Sequence, residues 1–451
     1  MLAGIVSICV CGSEGWPALE RPHVKIVVIG AGSRSFGWRT VNDVLGTPAL
    51  QAFKPELVLV DIDTPKLDDM LALAGRVKGH FNSTVTVRGT SDREEALKGA
   101  DYVMISVTQR RYELWEQDYR VPRAHGFAQA YAENGGPGAL FHAMRNLHLI
   151  LPMVRDVERI CPDAILFNYS NPESRVLLAI LTLTKVRAIG LCHGQHDVRR
   201  WICKALQIQE EDLETVGAGI NHFFWLYKIA NRTTGEDLYP AVRRAAEADA
   251  SPHFALPRKL LEIYGMLTYP DNTHTGEFVP FCDEFMHAKW PHGLESRKVG
   301  DLHRSQIDRL APYLRKEKPI EEIARLSTEM GVPMLLAHAA GTRTPFIAGN
   351  VLNAGLYIPN LLPDGVVEVP VEVDGAGFHP QPVPPLPDGV AAFCRTQMAI
   401  QKLTVRAYDE RSKNLLLQAL LLEPVVHNIS EAEALIEEML ALQADYLPTF
   451  Q

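Results

Sequence analysis

Short apolar, β-branched runs recur through the first half of the chain, each followed by a longer stretch with apolar residues every three or four places. The runs are Val24–Ile29, Leu57–Val60, Val85–Val87, Tyr102–Val107, Ala164–Phe167 and Val186–Leu191. Helical spacing fills Pro65–Lys78, Asp92–Lys98, Gly138–Ile160 and Glu173–Thr184. Short apolar strands alternating with helices predict βαβ units and a parallel sheet covered on both faces. Pro152 falls inside the longest helical pattern. A missing N–H and a ring clash predict a kink or break there.

Beyond this half the pattern is less regular. Val216–Ile229 reads as strand, with a loop at Asn231–Gly235 after it. Arg243–Met266 is mainly helical, with a break at Pro252 or Pro257. Leu361–Pro387 is rich in proline around a strand-like stretch, Val366–Val373, and Ala391–Leu442 is helical with an interruption near Pro424. The fold class expected is α/β, a Rossmann-like and mostly parallel sheet over residues 24–195 with a second, mixed α+β domain over 196–451. Residues 1–23 read as an N-terminal extension.

Composition narrows the class. Of 451 residues, 47% are apolar and 22% charged, as in a soluble globular enzyme. The 45 basic and 54 acidic side chains leave a formal charge of −9 with no basic block, which argues against nucleic acid or an anionic membrane as partner. No apolar run reaches the ~18 residues of a membrane span. Met1–Cys11 is apolar but lacks the basic start of a signal peptide. The seven cysteines are scattered without a CxxC pair. Free thiols in a reducing compartment, the cytoplasm, are therefore expected.

Chemistry-bearing residues gather at predicted strand ends, where folds of this type place ligands. Val24–Ile29 runs into Gly30-Ala31-Gly32-Ser33-Arg34-Ser35. Two glycines so spaced let a phosphate approach the backbone at a helix N-terminus, although Ser35 replaces the third glycine of the usual fingerprint. Asp61, ending the next strand, suits the ribose hydroxyls. Asp63 reads as a cap for the following helix. Cys192-His193-Gly194 lies at another strand end, and thiol with imidazole suits a borderline metal. A lone buried Cys is more often inert, and His196 offers a rival local metal site. His222, in Gly219-Ile220-Asn221-His222, is either a satisfied core histidine or a ligand. Glu133, before the glycine-rich Gly135-Gly136-Pro137-Gly138, is either a general acid or a solvated loop carboxylate. Asn171, before Pro172, either holds a sugar hydroxyl or caps a helix. Tyr269–Glu277 is a polar loop, either aimed at a ligand or merely solvated.

In this order the features resemble glycoside hydrolase family 4, the NAD- and metal-dependent glycosidases, from about Lys25 to about Glu438. Lys25–Ser33 and Leu57–Asp63 resemble its cofactor turn and ribose strand end. Asn171-Pro172 resembles its Asn-Pro motif, Cys192-His193-Gly194 its Cys-His element, and Gly219–His222 its Asn-His element. Gly349–Asn353 through Val367-Glu368-Val369-Pro370 is similar to a late family stretch.

The resemblance implies a hydrolase of O-glycosidic bonds in carbohydrate metabolism. It implies NAD held by Gly30, Gly32, Ser33 and Asp61, and Mn2+ or a similar divalent metal held by Cys192 and His222. Asn171, His193 and Asn221 are the implied substrate contacts. The implied route is oxidation at sugar C3, loss of the C2 proton, departure of the C1 substituent, addition of water and return of hydride, so that NAD is not consumed. Glu133 stands where the family usually has an aspartate acid. The base is Asp271 or Tyr269, with Asp271 first because a carboxylate needs no activation. Members acting on phosphorylated sugars usually have Asn or Asp at the place of His193, so an α-glycosidase on an unphosphorylated hexoside or uronide is expected. A homo-oligomer, dimer or tetramer, is implied too. The rival readings are an NAD-dependent dehydrogenase of a small hydroxy acid and a catalytically silent dinucleotide-binding module.

Overall fold

The computed structural model describes residues 23–33, 36–286 and 309–451. The expected N-terminal extension, but for His23, lies outside the described residues, as do Arg34 and Ser35. Six parallel strands, β1 (Lys25–Ile29), β2 (Glu56–Val60), β3 (Thr86–Thr90), β4 (Tyr102–Ile105), β5 (Ile165–Asn168) and β6 (Arg187–Gly190), lie in the order β3-β2-β1-β4-β5-β6. The sheet then continues antiparallel through β7 (Leu213–Ile220), β8 (Phe223–Asn231), β9 (Thr344–Leu352), β10 (Val366–Asp374) and β11 (Gly377–Pro380), placed as β6-β9-β10-β7-β8 with β11 on β10. The parallel half is the Rossmann order, and its inner strands β1, β2, β4 and β5 are almost wholly buried because helices cover both faces.

The first helices are α1 (Gly37–Gly46), α2 (Thr64–Phe81), α3 (Arg93–Leu97), α4 (Arg111–Ala124), α5 (Pro137–Ile160), α6 (Glu173–Leu183) and α7 (Gly194–Leu206). After the β7–β8 hairpin come α8 (Tyr239–Ala248), α9 (Ala255–Tyr264) and α10 (Asn272–Gly276), then α11 (Gly331–Ala340), α12 (Asp388–Glu410), α13 (Lys413–Leu421) and α14 (Ile429–Leu442). One face of the parallel sheet buries α5, α6 and the C-terminal helices in a single core that includes Val27, Ile105, Leu147, Leu177, Leu416 and Leu435. The other face packs α1, α2 and α11 against Val28, Leu59 and Met104. The C-terminal helices thus complete the layer over the N-terminal sheet.

Of the kink or break expected at Pro152, the break does not occur, since α5 is continuous from Pro137 to Ile160. An interior proline costs about 3 kcal/mol. Ile150, Leu151, Val154 and Val157 around it are all in the core, and burying each contributes about 1.5–3 kcal/mol. Packing outweighs the lost bond. The chain does break at Pro252, between α8 and α9, while Pro257 fits the first turn of α9. The C-terminal helical run breaks at Pro424 and also at Arg411, whose φ is 54°.

One paired row crosses the sheet: Thr90, Val60, Ile29, Ile105, Asn168, Gly190, Asn350, Glu368, Gly219 and Phe224 lie side by side. The first six are the last residues of the parallel strands. The row turns polar from Asn168 onward, at the carboxyl edge where ligands of such sheets bind.

Candidate active site

β1 runs into Gly30, whose φ of 86° favours glycine. A Cβ there would lie 2.3 Å from the Ser106 carbonyl oxygen. Gly32 N donates to Asp61 Oδ2 at 2.8 Å, and Asp63 N donates to Asp61 Oδ1 at 2.9 Å, so the carboxylate is fixed beside the turn. Asp63 caps α2 as expected, accepting from Lys66 N at 3.1 Å. Ser33 Oγ accepts from Phe36 N at 3.1 Å and shapes the entry to α1. The close-packing glycine missing at Ser35 is Gly37. A Cβ on Gly37 would lie 2.1 Å from the Ala31 carbonyl oxygen, so only glycine lets α1 press on the turn. A turn with no room for side chains, a helix start without acidic residues and an anchored carboxylate fit a dinucleotide diphosphate and ribose.

From α1 a run of polar side chains leads to Glu133. Arg39 Nη1 lies 3.6 Å from Glu329 Oε1, which lies 3.8 Å from His193 Nδ1. His193 Nε2 is 3.6 Å from Asp197 Oδ2 in the first turn of α7. The same oxygen accepts from the Tyr269 hydroxyl at 2.7 Å. The Tyr269 ring stacks on His274 with centroids 4.4 Å apart, and His274 lies 4.9 Å from the His222 ring. His222 Nδ1 is hydrogen-bonded to the Asn134 amide nitrogen at 3.0 Å. Glu133 Oε1 faces Arg111 at 3.7 Å.

Local structure explains several of these positions. His222 is the second residue of the two-residue turn joining β7 and β8, and its φ is 65°. Holding a non-glycine residue there costs about 1–3 kcal/mol, a strain typical of functional positions. Asp271 caps α10, accepting from Thr273 N at 2.6 Å and His274 N at 3.1 Å. The Glu133 loop is held from two sides. Glu277 Oε1 accepts from Glu133 N at 2.6 Å and Asn134 N at 3.0 Å. Glu423 Oε2 accepts from Gly136 N at 3.0 Å, and its Oε1 from buried Arg175 at 2.7 Å.

Burial and neighbouring charge set the protonation states. Burial, with the charge of His274, presses His222 down to about 3, so it is a neutral imidazole. Burial opposes the charge on His274, but Asp271 outweighs it and lifts His274 to about 9. The same pair holds Asp271 well below the usual carboxylate range despite its burial. Burial would raise Glu133, yet Arg111 and the surrounding imidazoles keep it lower than usual. Burial and the neighbouring Glu133 push Glu277 up to about 8, so it carries a proton at neutral pH. Burial, then Asp197, pushes the Tyr269 hydroxyl up.

Among the described residues Glu133, His222 and His274 place ligand atoms within 4.8 Å of one another. His274 is a poor ligand, since its partner Asp271 keeps it cationic. His222 is neutral, as a ligand must be. Cys192 borders the same centre: two residues on, a Cβ on Gly194 would lie 2.9 Å from the Tyr269 ring. Burial, then Glu368, keeps the thiol protonated; a divalent cation would displace that proton. The donor chemistry of thiol and neutral imidazole fits a borderline divalent metal. His196 instead faces Glu210, at 3.8 Å.

The other expected residues are placed as follows. The His193 side chain is 48% exposed and so open to a ligand. Asn171 is partly buried, and its carbonyl accepts from the Asn146 amide. Asn221 turns its amide nitrogen to Glu368 Oε2 at 3.1 Å. Sequence reasoning did not single out Asn134, Asp197, His274, Glu277 or Arg111. His274 and Glu277 lay within the polar loop already noted, and Asp197 is five residues beyond Cys192.

The family model described as Family 4 glycosyl hydrolase matches residues 25–208, and that of the Family 4 glycosyl hydrolase C-terminal domain matches residues 217–426. An alpha-galactosidase of Bacillus subtilis (strain 168) is 30% identical over 440 residues, 95% of this chain and 100% of the relative. An alpha-galacturonidase of Thermoanaerobacter italicus is 27% identical over 458 residues, covering 94% and 97%. Among solved structures, a 6-phospho-alpha-glucosidase from gut microorganisms in complex with NAD and Mn2+ superposes with a TM-score of 0.80 at 20% identity, covering 95% of this chain and 100% of that one. At that identity the likeness speaks for the fold.

Proposed function

The chain belongs to family 4 of the glycosyl hydrolases, and on that footing we propose that it cleaves the O-glycosidic bond of an unphosphorylated α-hexoside or α-uronide by transient oxidation of the sugar. The alpha-galactosidase and alpha-galacturonidase relatives support this substrate class. So does the charge around His193, which stands between Asp197 at 3.6 Å and Glu329 at 3.8 Å. A sugar phosphate there would meet two carboxylates, while the arginines nearest them, Arg39 and Arg200, are already paired with Glu329 and Asp197. The observation that carries the reading is the continuous polar path from Arg39, beside the dinucleotide turn, to Glu133, with Tyr269 and His222 along it.

Gly30, Gly32, Ser33 and Asp61 would hold NAD, and Cys192 and His222 a divalent ion of the manganese type. Bound NAD supplies a hydride acceptor at C3 that later returns the hydride, and a bound divalent ion supplies Lewis acidity at the C2 and C3 oxygens. The remaining work falls to this chain's side chains. Tyr269 would remove the proton at C2 as its phenolate, formed by loss of its hydroxyl proton to solvent and favoured by the cationic His274 stacked on its ring, while Asp197, which accepts from the hydroxyl, orients the group. Asp271 is the weaker base, because one of its oxygens is taken up by the α10 cap and His274 holds the group ionised. Glu133 assists departure of the C1 substituent after taking up a proton, of which Glu277 beside it holds one. As a carboxylate it then accepts a proton from the water that adds at C1. His193 and Asn171 contact the sugar, and the free oxygen of Asn221 is available to a hydroxyl. This route departs from the paired-carboxylate scheme of most glycosidases.

Neither rival accounts for the site. A hydroxy-acid dehydrogenase shares the turn and Asp61 but has no use for the Cys192 and His222 pair. A silent binding module needs neither Glu133 nor Tyr269. A cytoplasmic location is supported by the need for a reduced Cys192 thiol. A homo-oligomer, dimer or tetramer, is supported by exposed Leu422, Ile429 and Leu442 on and beside α14. A panel of nitrophenyl α-glycosides assayed with and without NAD, Mn2+ and chelator tests the function. Nitrophenol release requiring both cofactors, without accumulation of NADH, is expected. Release without NAD, or one NADH per turnover, would contradict it.

A further inference from the structure

The two segments assigned to the metal rise from strands that do not touch. Cys192 follows β6 and His222 follows β7, while β9 and β10 lie between them in the sheet. Glu368 is on β10, in the paired row between Asn350 and Gly219. Its side chain is 2% exposed inside the apolar run Val366-Val367-Glu368-Val369. Its Oε1 accepts from Gln195 Nε2 at 2.9 Å, and its Oε2 accepts from Asn221 Nδ2 at 3.1 Å. Gln195 is three residues after Cys192, and Asn221 immediately precedes His222. Each carboxylate oxygen therefore holds one ligand-bearing segment. Gly217 on β7 leaves the room that the Gln195 amide takes: a Cβ there would lie 2.9 Å from Gln195 Oε1.

A buried carboxylate is a costly way to fill a strand, and a valine would pack there without desolvation cost. Its use at the one row position that bridges both segments points to a function in holding them. We propose that Glu368 is a positioning residue that fixes the spacing of Cys192 and His222 for a divalent cation. This rests on the reading that those two residues bind the metal. Glu368 touches neither ligand directly. It acts as outer partners of metal sites do, by orienting what holds the ion, and loss of such partners typically weakens affinity about 10- to 100-fold.

The test is a Mn2+ titration of the NAD-loaded enzyme, read by the loss of the free-ion electron paramagnetic resonance signal. NAD affinity and thermal melting are measured on the same variants. Glu368→Ala is expected to weaken Mn2+ binding about 10- to 100-fold with NAD affinity unchanged. Glu368→Gln is expected to lose less, because Gln195 Oε1 and Asn221 Oδ1 have no partner among the described residues and either amide can turn to accept from the new one. Cys192→Ser and His222→Ala serve as references. If those two bind Mn2+ like the parent enzyme, the metal assignment itself fails. If they lose it while Glu368→Ala keeps it, the positioning role is overturned. Should Glu368→Ala not fold, Asn221→Ala takes its place, and parental Mn2+ affinity in Asn221→Ala and Glu368→Gln together overturns the proposal.

Discussion

The Tyr269 hydroxyl donates to Asp197 across 2.7 Å while its ring lies on His274 at 4.4 Å. The carboxylate orients the phenol and favours its protonated form, while the cationic ring against its face favours the phenolate. Asp271, two residues on, is held ionised by the helix it caps and by His274. Tyr269→Phe should lower kcat by at least about 100-fold and abolish exchange of the C2 proton. Asp271→Asn keeps the α10 cap, since Asn caps as well as Asp, and should retain that exchange at reduced rate. Exchange retained in Tyr269→Phe and lost in Asp271→Asn would reverse the assignment.

Asp61 accepts from the backbone of Gly32 and Asp63 and keeps lone pairs facing the turn. Asp61→Ala should weaken NAD binding about 10- to 100-fold, the worth of a charged hydrogen bond, and leave Mn2+ binding unchanged. Calorimetric titration with each cofactor checks this. Equal NAD affinity in parent and variant would place the ribose elsewhere.

The residues that the sequence exposed are those whose local context is diagnostic. Gly30 and Gly32 follow a strand, Asp61 ends one, and Cys192 sits where a strand meets a helix. What stayed hidden depends on distant partners. Glu368 lies in a β-branched run that reads simply as strand, and its role comes from a row that joins β6 and β7 through strands far along the chain. Gly37 carries no signal in the sequence, because its contact is with the backbone of Ala31. Pro152 does not end its helix, and the spacing around it could not say so because it tells nothing of how deeply Ile150 and Val154 are buried. The polar loop Tyr269–Glu277 was visible as a group, but which of its members faces Glu133 follows only from the α10 turn.

Arg175 and Glu423 pair at 2.7 Å with almost no exposure, and Glu423 also holds Gly136 N. Glu423→Ala leaves a buried guanidinium unpaired and should cost about 3–5 kcal/mol of stability. Urea denaturation measures it. A midpoint within error of the parent would show that the pair carries no such burden. Because Gly136 belongs to the Glu133 loop, kcat should fall as well.

His125 at the end of α4 reaches Glu431 Oε2 at 2.8 Å and Glu438 Oε2 at 2.9 Å on α14. Burial lowers its proton affinity, but the two carboxylates outweigh that and raise it above the ordinary histidine value. A raised folded-state value stabilises fully below the unfolded value of about 6.5. That contribution is lost as pH rises through the folded one. The melting temperature of the parent should therefore exceed that of His125→Gln most at mildly acidic pH, with the gap closing as pH becomes alkaline. A gap that widens with pH would contradict the pairing.

The oxidation-and-elimination route leaves a mark on the product that other glycosidases do not. Hydrolysis of an unphosphorylated nitrophenyl α-glycoside by the NAD- and Mn2+-loaded enzyme in heavy water is followed by NMR of the released sugar. Deuterium at C2 with no net NADH is the result predicted. A sugar fully protonated at C2, in an enzyme that turns over at its normal rate, would contradict the route.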